Sequence, residues 1–190
     1  MPVSLGILKL NTMSVKTKWV LDPTHSEVHF KVKHLVISTV TGTFKVFNGS
    51  FETESEDFSN ADIEFSMEAG SIDTNQEQRD AHLRSADFFD AEKYPAITFK
   101  STSFEKEDDD DYKLTGDLTI KGVTKPVSLD VELGGVATDP YGNEKAGFEI
   151  TGKISRKEFD LTWSAVTEAG AIVVGDEIKL NINLQFVKQA

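Results

Sequence analysis

Between residues 178 and 186 the chain alternates without a break. Ile178, Leu180, Ile182, Leu184 and Phe186 fall on one side, and Lys179, Asn181, Asn183 and Gln185 on the other. Side chains of an extended strand point to opposite faces in turn, whereas a helix repeats every 3.6 residues, so this run specifies a strand with one buried face. The same period recurs from residue 18 onward. It gives one apolar face to Val28, Phe30, Val32; to Ile63, Phe65, Met67; to Ile97, Phe99; to Leu114, Leu118, Ile120; to Val127, Leu129, Val131, Leu133; and to Phe148, Ile150, Ile154. Between Thr41 and Phe51 the parity switches, Phe44 and Val46 giving way to Phe47 and Phe51, which predicts a bulge near Asn48-Gly49 or, failing that, a hairpin turn.

Reversal chemistry separates the runs: Asp22-Pro23, the acidic stretch Glu107 to Asp111, Lys121-Gly122, and Asp139-Pro140-Tyr141-Gly142-Asn143. One helix is predicted, opened by a capping box at Thr74-Asn75-Gln76-Glu77 and running to about Ser85, with a further helical turn over Asp87 to Ala91 before Pro95 enforces extension. About eight antiparallel strands with one short internal helix define an all-β fold, a sandwich or a closed barrel. An eight-stranded barrel encloses a space that either fills with side chains or holds one ligand. The parity of the runs nominates Phe30, Val32, Phe44, Ile63, Phe65, Met67, Ile97, Phe99, Leu118, Phe148, Ile150, Ile182 and Leu184 as its lining, a surface suited to hydrocarbon.

The composition narrows the partners. A formal charge of -12 with scattered basic residues repels phosphate backbones and disfavours both nucleic acid and anionic membrane surfaces. With no cysteine there is no disulfide, thiolate nucleophile or Cys-ligated metal. No apolar run approaches the ~18 to 20 residues of a spanning helix, so stable membrane insertion is not expected. The first residues, Met1 to Leu10, are interrupted by Lys9 and show no small-residue cleavage site, which favours a cytoplasmic protein, or a periplasmic one if the start is misassigned. Residues 1–17 read as an N-terminal extension, with Met13 as an alternative start, and 18–190 as one domain of a size common for single barrels.

Candidate chemical motifs are few. Gly147 to Ile154 nearly matches a phosphate-binding loop, but Ile154 stands where Ser or Thr is required and no helix follows. His25 and His29 lie roughly 13 Å apart on a strand, too far to share one zinc ion, and no metal or cofactor is expected. His34 shares parity with the buried run and is either a satisfied core histidine or a polar group at a barrel end. Asn48-Gly49-Ser50 is formally a glycosylation sequon, read here as part of the bulge or turn. Arg79 and His82, on the predicted helix, form with Arg84 the most cation-rich short stretch, and either face solvent or sit at a barrel mouth where they meet a lipid head group.

A longer set of motifs is specific. Trp19-Val20-Leu21-Asp22-Pro23-Thr24-His25-Ser26, Val28-His29-Phe30, His34-Leu35, Gly42-Thr43-Phe44, Ile72-Asp73-Thr74, Arg79-Asp80-Ala81-His82-Leu83, Asp87-Phe88-Phe89-Asp90, Tyr94-Pro95, Ile97-Thr98-Phe99, Gly116 to Val127 and Arg156-Lys157-Glu158-Phe159 follow one another in order. In these the chain resembles the YceI-like family, lipocalin-like polyisoprenoid-binding proteins of bacteria, over residues 18 to 187. The resemblance implies an elongated eight-stranded lipocalin-like barrel, often a homodimer, whose pore holds an isoprenoid or other long acyl chain, and it implies no catalytic residues. The expected function is to carry or store a long apolar lipid: a polyisoprenoid, a quinone-like molecule or a fatty-acid derivative. The alternatives are an enzyme acting on a lipid within the barrel through His34, His82 or an Asp, and a stress-related interaction module whose filled barrel binds nothing.

Overall fold

The computed structural model describes residues 14–190. Of the N-terminal extension, residues 1–13 lie outside the described residues, and Thr17 already opens the first strand. Among the described residues there are eleven strand segments: β1 (Thr17–Leu21), β2 (Glu27–His34), β3 (Ser38–Phe44), β4 (Phe47–Thr53), β5 (Asp62–Glu68), β6 (Ile72–Asp73), β7 (Ala96–Lys106), β8 (Asp111–Ile120), β9 (Val123–Thr138), β10 (Glu144–Ser155) and β11 (Val174–Lys188). One α-helix, α1 (Glu77–Arg84), lies between β6 and β7.

The eleven segments make eight staves of a closed antiparallel barrel. β1 and β2 run end to end along β11, with Leu21 opposite Phe186 and Val28 opposite Ile182. β3 and β4 pair in the same way with β2 and β1, and β6 and β5 pair with β3 and β4. From there β5, β7, β8, β9, β10 and β11 follow as neighbours in an unbroken meander, and β11 closes on β1 and β2. Closure leaves no unpaired edge along the long strands.

Three neighbouring staves break at one level. A 3₁₀ turn at Pro23–His25 separates β1 from β2, Lys45-Val46 separate β3 from β4, and a second 3₁₀ turn at Ala69–Ser71 separates β5 from β6. Across this seam Lys45 N–H donates to Ser71 O at 3.2 Å, and Glu68 N–H to Val46 O at 2.9 Å. The inward parity therefore differs across the seam, odd on β1, β4 and β5 and even on β2, β3 and β6. This corrects the expectation of a bulge or hairpin at Asn48-Gly49: those two residues pair regularly with Ser66 and Phe65, and the switch arises at Lys45-Val46. Register irregularities lie instead at Gly147/Phe148, Ser101/Ser103 and Val174/Ile178.

Two helical expectations also need correction. The N-cap of α1 is Gln76, whose side chain accepts from Arg79 N–H, while Thr74 donates its N–H and hydroxyl to the buried Asp80 at 2.9 and 2.5 Å. A carboxylate one turn into the helix competes successfully for Thr74, because a charged acceptor binds a donor more strongly than a neutral one. Asp87 to Ala91 forms successive turns rather than helix, closed by the backbone bonds Phe89 N–H to Leu83 O and Ala91 N–H to Arg84 O.

Candidate functional site

The barrel interior is one apolar cavity of about 210 Å³ that touches every stave. All thirteen residues nominated by parity line it, together with Ile178, Leu180 and Phe186 of β11 and Leu114, Leu129 and Val131 of β8 and β9. The polar residues among the lining residues are His29, Glu64, Thr98 and Arg156, but His29 turns its ring to Glu27 and Glu64 its carboxylate to Lys100 on the outer face, and Thr98 is exposed.

The lumen exists because some inward positions carry no side chain. Gly42, opposite Phe30, leaves room that the Phe30 ring fills, and Gly49, opposite Phe65, does the same for that ring. Gly116 accommodates Phe99, and Gly152 accommodates Leu129. A large side chain laid over a glycine on the neighbouring strand stays against the wall instead of standing across the lumen, while covering backbone that would otherwise be bare. These glycines are absent from the list read from the sequence, where periodicity registers only the residues that have apolar side chains.

The two ends of the barrel differ. At the end where β1 begins and β11 finishes, Phe58 from the β4–β5 connection enters a cluster with Trp19, Phe51, Phe148 and Phe186, its ring centroid 5.5 Å from Trp19 and 5.4 Å from Phe148. Phe51 and Phe186 meet edge to face at 4.9 Å. The connection is held in place by Tyr112, whose hydroxyl donates to Asp57 O at 2.6 Å, and by Asn60 N–H on Phe104 O at 2.8 Å. Hydrogen bonds from Ser55 and Ser59 hold the Asp57 carboxyl down at about 2, so it remains a charged acceptor in this turn. This end is plugged by aromatic rings.

The opposite end is covered by α1 and by the segment between β10 and β11. Leu83, Phe88, Phe89 and Leu161 contribute its apolar underside. Arg156, buried just after β10, donates Nε–H to Gly175 O at 2.8 Å, Nη1–H to Leu161 O and Trp163 O at 2.5 and 2.8 Å, and Nη2–H to Val174 O at 3.2 Å. Burial pulls its guanidinium below the ordinary value, but an arginine starts so high that it stays charged. Its charge is spent on backbone carbonyls and ties the covering segment to the start of β11.

The structure does not bring Arg79 or His82 to the cavity lining. Arg79 donates Nε–H to Thr74 Oγ1 at 2.7 Å and Nη2–H to Thr74 O at 2.8 Å, bracing the entry to α1. His82 bonds Asp87 at 2.9 Å and packs edge to face on Phe88 and Trp163, with centroids 5.1 and 4.9 Å away. Both side chains thus have local structural partners. His34 is the last residue of β2 and half-buried at the barrel end, the second of the two readings of its sequence position.

A family model described as the YceI-like domain matches residues 19–186. The protein YceI of Escherichia coli is 43% identical over 165 residues, covering 87% of this chain and 83% of that protein. The crystal structure of the Campylobacter jejuni YceI protein superimposes with a TM-score of 0.71 at 38% identity, over 83% of this chain and 90% of that one. A polyisoprenoid-binding domain from Saccharophagus degradans shares the fold at a TM-score of 0.69 and 15% identity, over 90% of this chain and 98% of that one. The family model, the identity to these relatives and the shared barrel together place the chain in the YceI-like family.

Proposed function

We propose that this protein binds a long apolar lipid of the polyisoprenoid, quinone-like or fatty-acid type in the barrel lumen, and carries or stores it without transforming it. The observation that carries this reading is the continuous lining of apolar side chains, from the aromatic plug at Phe58 to the underside of α1 at Leu83. Burial of hydrocarbon against such a wall yields ~25 cal/mol per Å², enough for affinity without any polar contact. The relationship of the fold to a polyisoprenoid-binding domain supports the same class of ligand. Selection would be by length and girth, since few polar groups reach the lumen.

Catalysis needs a titratable group free to meet the substrate. The guanidinium of Arg156 is committed to four carbonyl contacts, His29 and Glu64 pair with Glu27 and Lys100 on the outer face, and His34 and His82 are not among the lining residues, which favours holding over transforming. The size of the cavity favours one second reading. At about 210 Å³ it is smaller than the ~300 to 1,000 Å³ typical of drug-sized ligand sites, as a barrel filled by its own side chains would be. A long chain would then enter only as Phe30, Phe65 and Phe99 swing on their glycines.

Organic extraction of the purified protein followed by mass spectrometry distinguishes the two readings. A near-stoichiometric long-chain lipid is expected. Its absence, together with failure to take up a fluorescent prenyl alcohol, would overturn the carrier reading in favour of the filled barrel.

A further inference from the structure

The turn joining β2 to β3 and the turn at Val166–Ile172 stand side by side at the end opposite the aromatic plug. Leu35 N–H donates to Val173 O at 3.0 Å, His34 pairs with Val174, and Val166 bridges Ile172 across the second turn. Between them they expose four β-branched side chains: Val36 at 72%, Ile37 at 85%, Val166 at 67% and Ile172 at 51%. Single exposed apolar residues are ordinary, but four on two adjoining tips form a patch.

The backbone of the first tip is unfavourable for its sequence. Leu35 and Val36 hold φ of 52° and 65°, a region where turns place Asn or Gly and where a β-branched residue is a steric outlier. A chain selected only for folding would put Asn-Gly there. Strain retained at a tip whose side chains face outward calls for a use of those side chains.

The charge around the first tip is the reverse of the protein's average. The chain has 32 acidic residues in 190, yet residues 28–51 contain none and carry Lys31, Lys33 and Lys45. Lys31 lies opposite Lys179 on β11. Among the described residues Lys31, Lys33 and Lys179 form no ion pair. Glu168 is the one acid between Asp160 and Asp176.

We propose that this end of the barrel docks onto a lipid bilayer bearing anionic head groups, Val36, Ile37, Val166 and Ile172 entering the interfacial layer while Lys31, Lys33 and Lys179 meet the head groups. Apolar side chains backed by basic ones are the composition that holds peripheral proteins at such a surface. The net charge of -12 repels the membrane from the remainder of the molecule and so presents the acid-free hairpin to it. The surface adjoins the cavity, because Val174, which follows the second tip, lines the lumen. The proposal rests on the lipid-carrier reading, for which a membrane is both source and destination of the ligand.

The test is flotation of the full chain with vesicles of phosphatidylglycerol and phosphatidylethanolamine, and with vesicles of phosphatidylcholine alone. Binding to the anionic vesicles, weakened by salt and by their replacement with phosphatidylcholine, is expected. The double variant Ile37→Asp, Val166→Asp should reduce partition at least ~10-fold, with unchanged circular dichroism and unchanged copurified lipid. A second variant, Leu35→Asn with Val36→Gly, should melt higher than wild type while partitioning less, which separates docking from folding. Wild type that retains lipid but floats with neither vesicle overturns the docking and leaves the carrier reading intact. Equal partition of wild type and the double variant also overturns it, as does a concentration-dependent dimer that Ile37→Asp dissolves in the absence of vesicle binding.

Discussion

The ring of Phe30 on β2 occupies the space that a Cβ on Gly42 of β3 would fill, and the three atoms nearest to such a Cβ, at 2.3 to 3.0 Å, all belong to that ring. An alanine at residue 42 is therefore expected to push Phe30 off the wall and into the lumen. Gly42→Ala is expected to fold, to lose about 1–3 kcal/mol of stability to overpacking, and to hold less lipid. Gly116→Ala should cost more stability, since its Cβ would also stand 2.5 Å from the backbone oxygen of Lys100, which cannot rotate away. Urea denaturation with parallel lipid extraction checks both. An unchanged lipid content in folded Gly42→Ala would show that the space near Phe30 is not used by ligand.

Asp80 is buried and accepts both the N–H and the hydroxyl of Thr74, which Arg79 in turn grips at its Oγ1 and O atoms. Hydrogen bonds to a charged group contribute about 1.5–3 kcal/mol. Asp80→Ala should destabilise the protein by that amount or more, because it also leaves the Thr74 donors without an acceptor. Arg79→Ala should act in the same direction and less strongly. A matched phosphorylated and alcohol form of one isoprenoid, titrated against Arg79→Ala, should show equal losses, as expected of a residue that holds the helix in place. A selective loss for the phosphorylated form would instead assign Arg79 to the head group.

Asp22 bridges the break between β1 and β2. Thr24 donates its hydroxyl and N–H to Oδ1, and His25 bonds Oδ2 at 2.8 Å, while the chain continues into the 3₁₀ turn. The Thr24 hydroxyl above all, with help from His25, lowers the Asp22 carboxyl to about 2 from its ordinary 3.8. A folded-state value below the unfolded one stabilises the native state above pH about 4, and that contribution disappears as pH falls towards 2. Asp22→Asn should therefore melt below wild type at pH 6 to 7, with a gap that narrows from pH 4 downward. Thermal melts over pH 2.5 to 7 decide this; a gap independent of pH would trace it to lost geometry, not to charge.

Much of the barrel was legible because burial on one side of a strand writes itself into the sequence at period 2. Ile178 to Phe186 and the thirteen lumen residues follow from that rule alone. The seam did not. Three staves break at the same level through a two-residue gap and two 3₁₀ turns, and a parity change by itself does not distinguish a break from a bulge. Helix capping misled for a different reason: Thr74 has the right spacing for a capping box, but Asp80 offers it a charged acceptor that only the fold brings within reach. The lumen glycines carried no signal because their contribution is the absence of a side chain. Arg156 had none beyond its membership of a family motif, since a buried arginine bound to carbonyls looks, in sequence, like any surface arginine.

Arg156 also yields a prediction about the covering segment. Four donor contacts from one buried guanidinium fasten Leu161, Trp163, Val174 and Gly175 around the end of β10. A lysine at this position keeps the charge but offers one compact ammonium, which cannot reach carbonyls arranged around a planar fork. Arg156→Lys is thus expected to lose about 1.5–3 kcal/mol of stability, the range for hydrogen bonds to charged groups. The effect should be local before it is global. Backbone amides whose own bonds close the segment, Thr167 N–H on Ala171 O at 2.9 Å and Val173 N–H on Ala165 O at 3.0 Å, should exchange faster in the variant. Amides in β7 and β8, on other staves, should follow only the global loss. Hydrogen exchange read by mass spectrometry over residues 160–175 separates the two. Uniform acceleration across all strands would show that Arg156 supports the barrel as a whole and does not specifically fasten its cover.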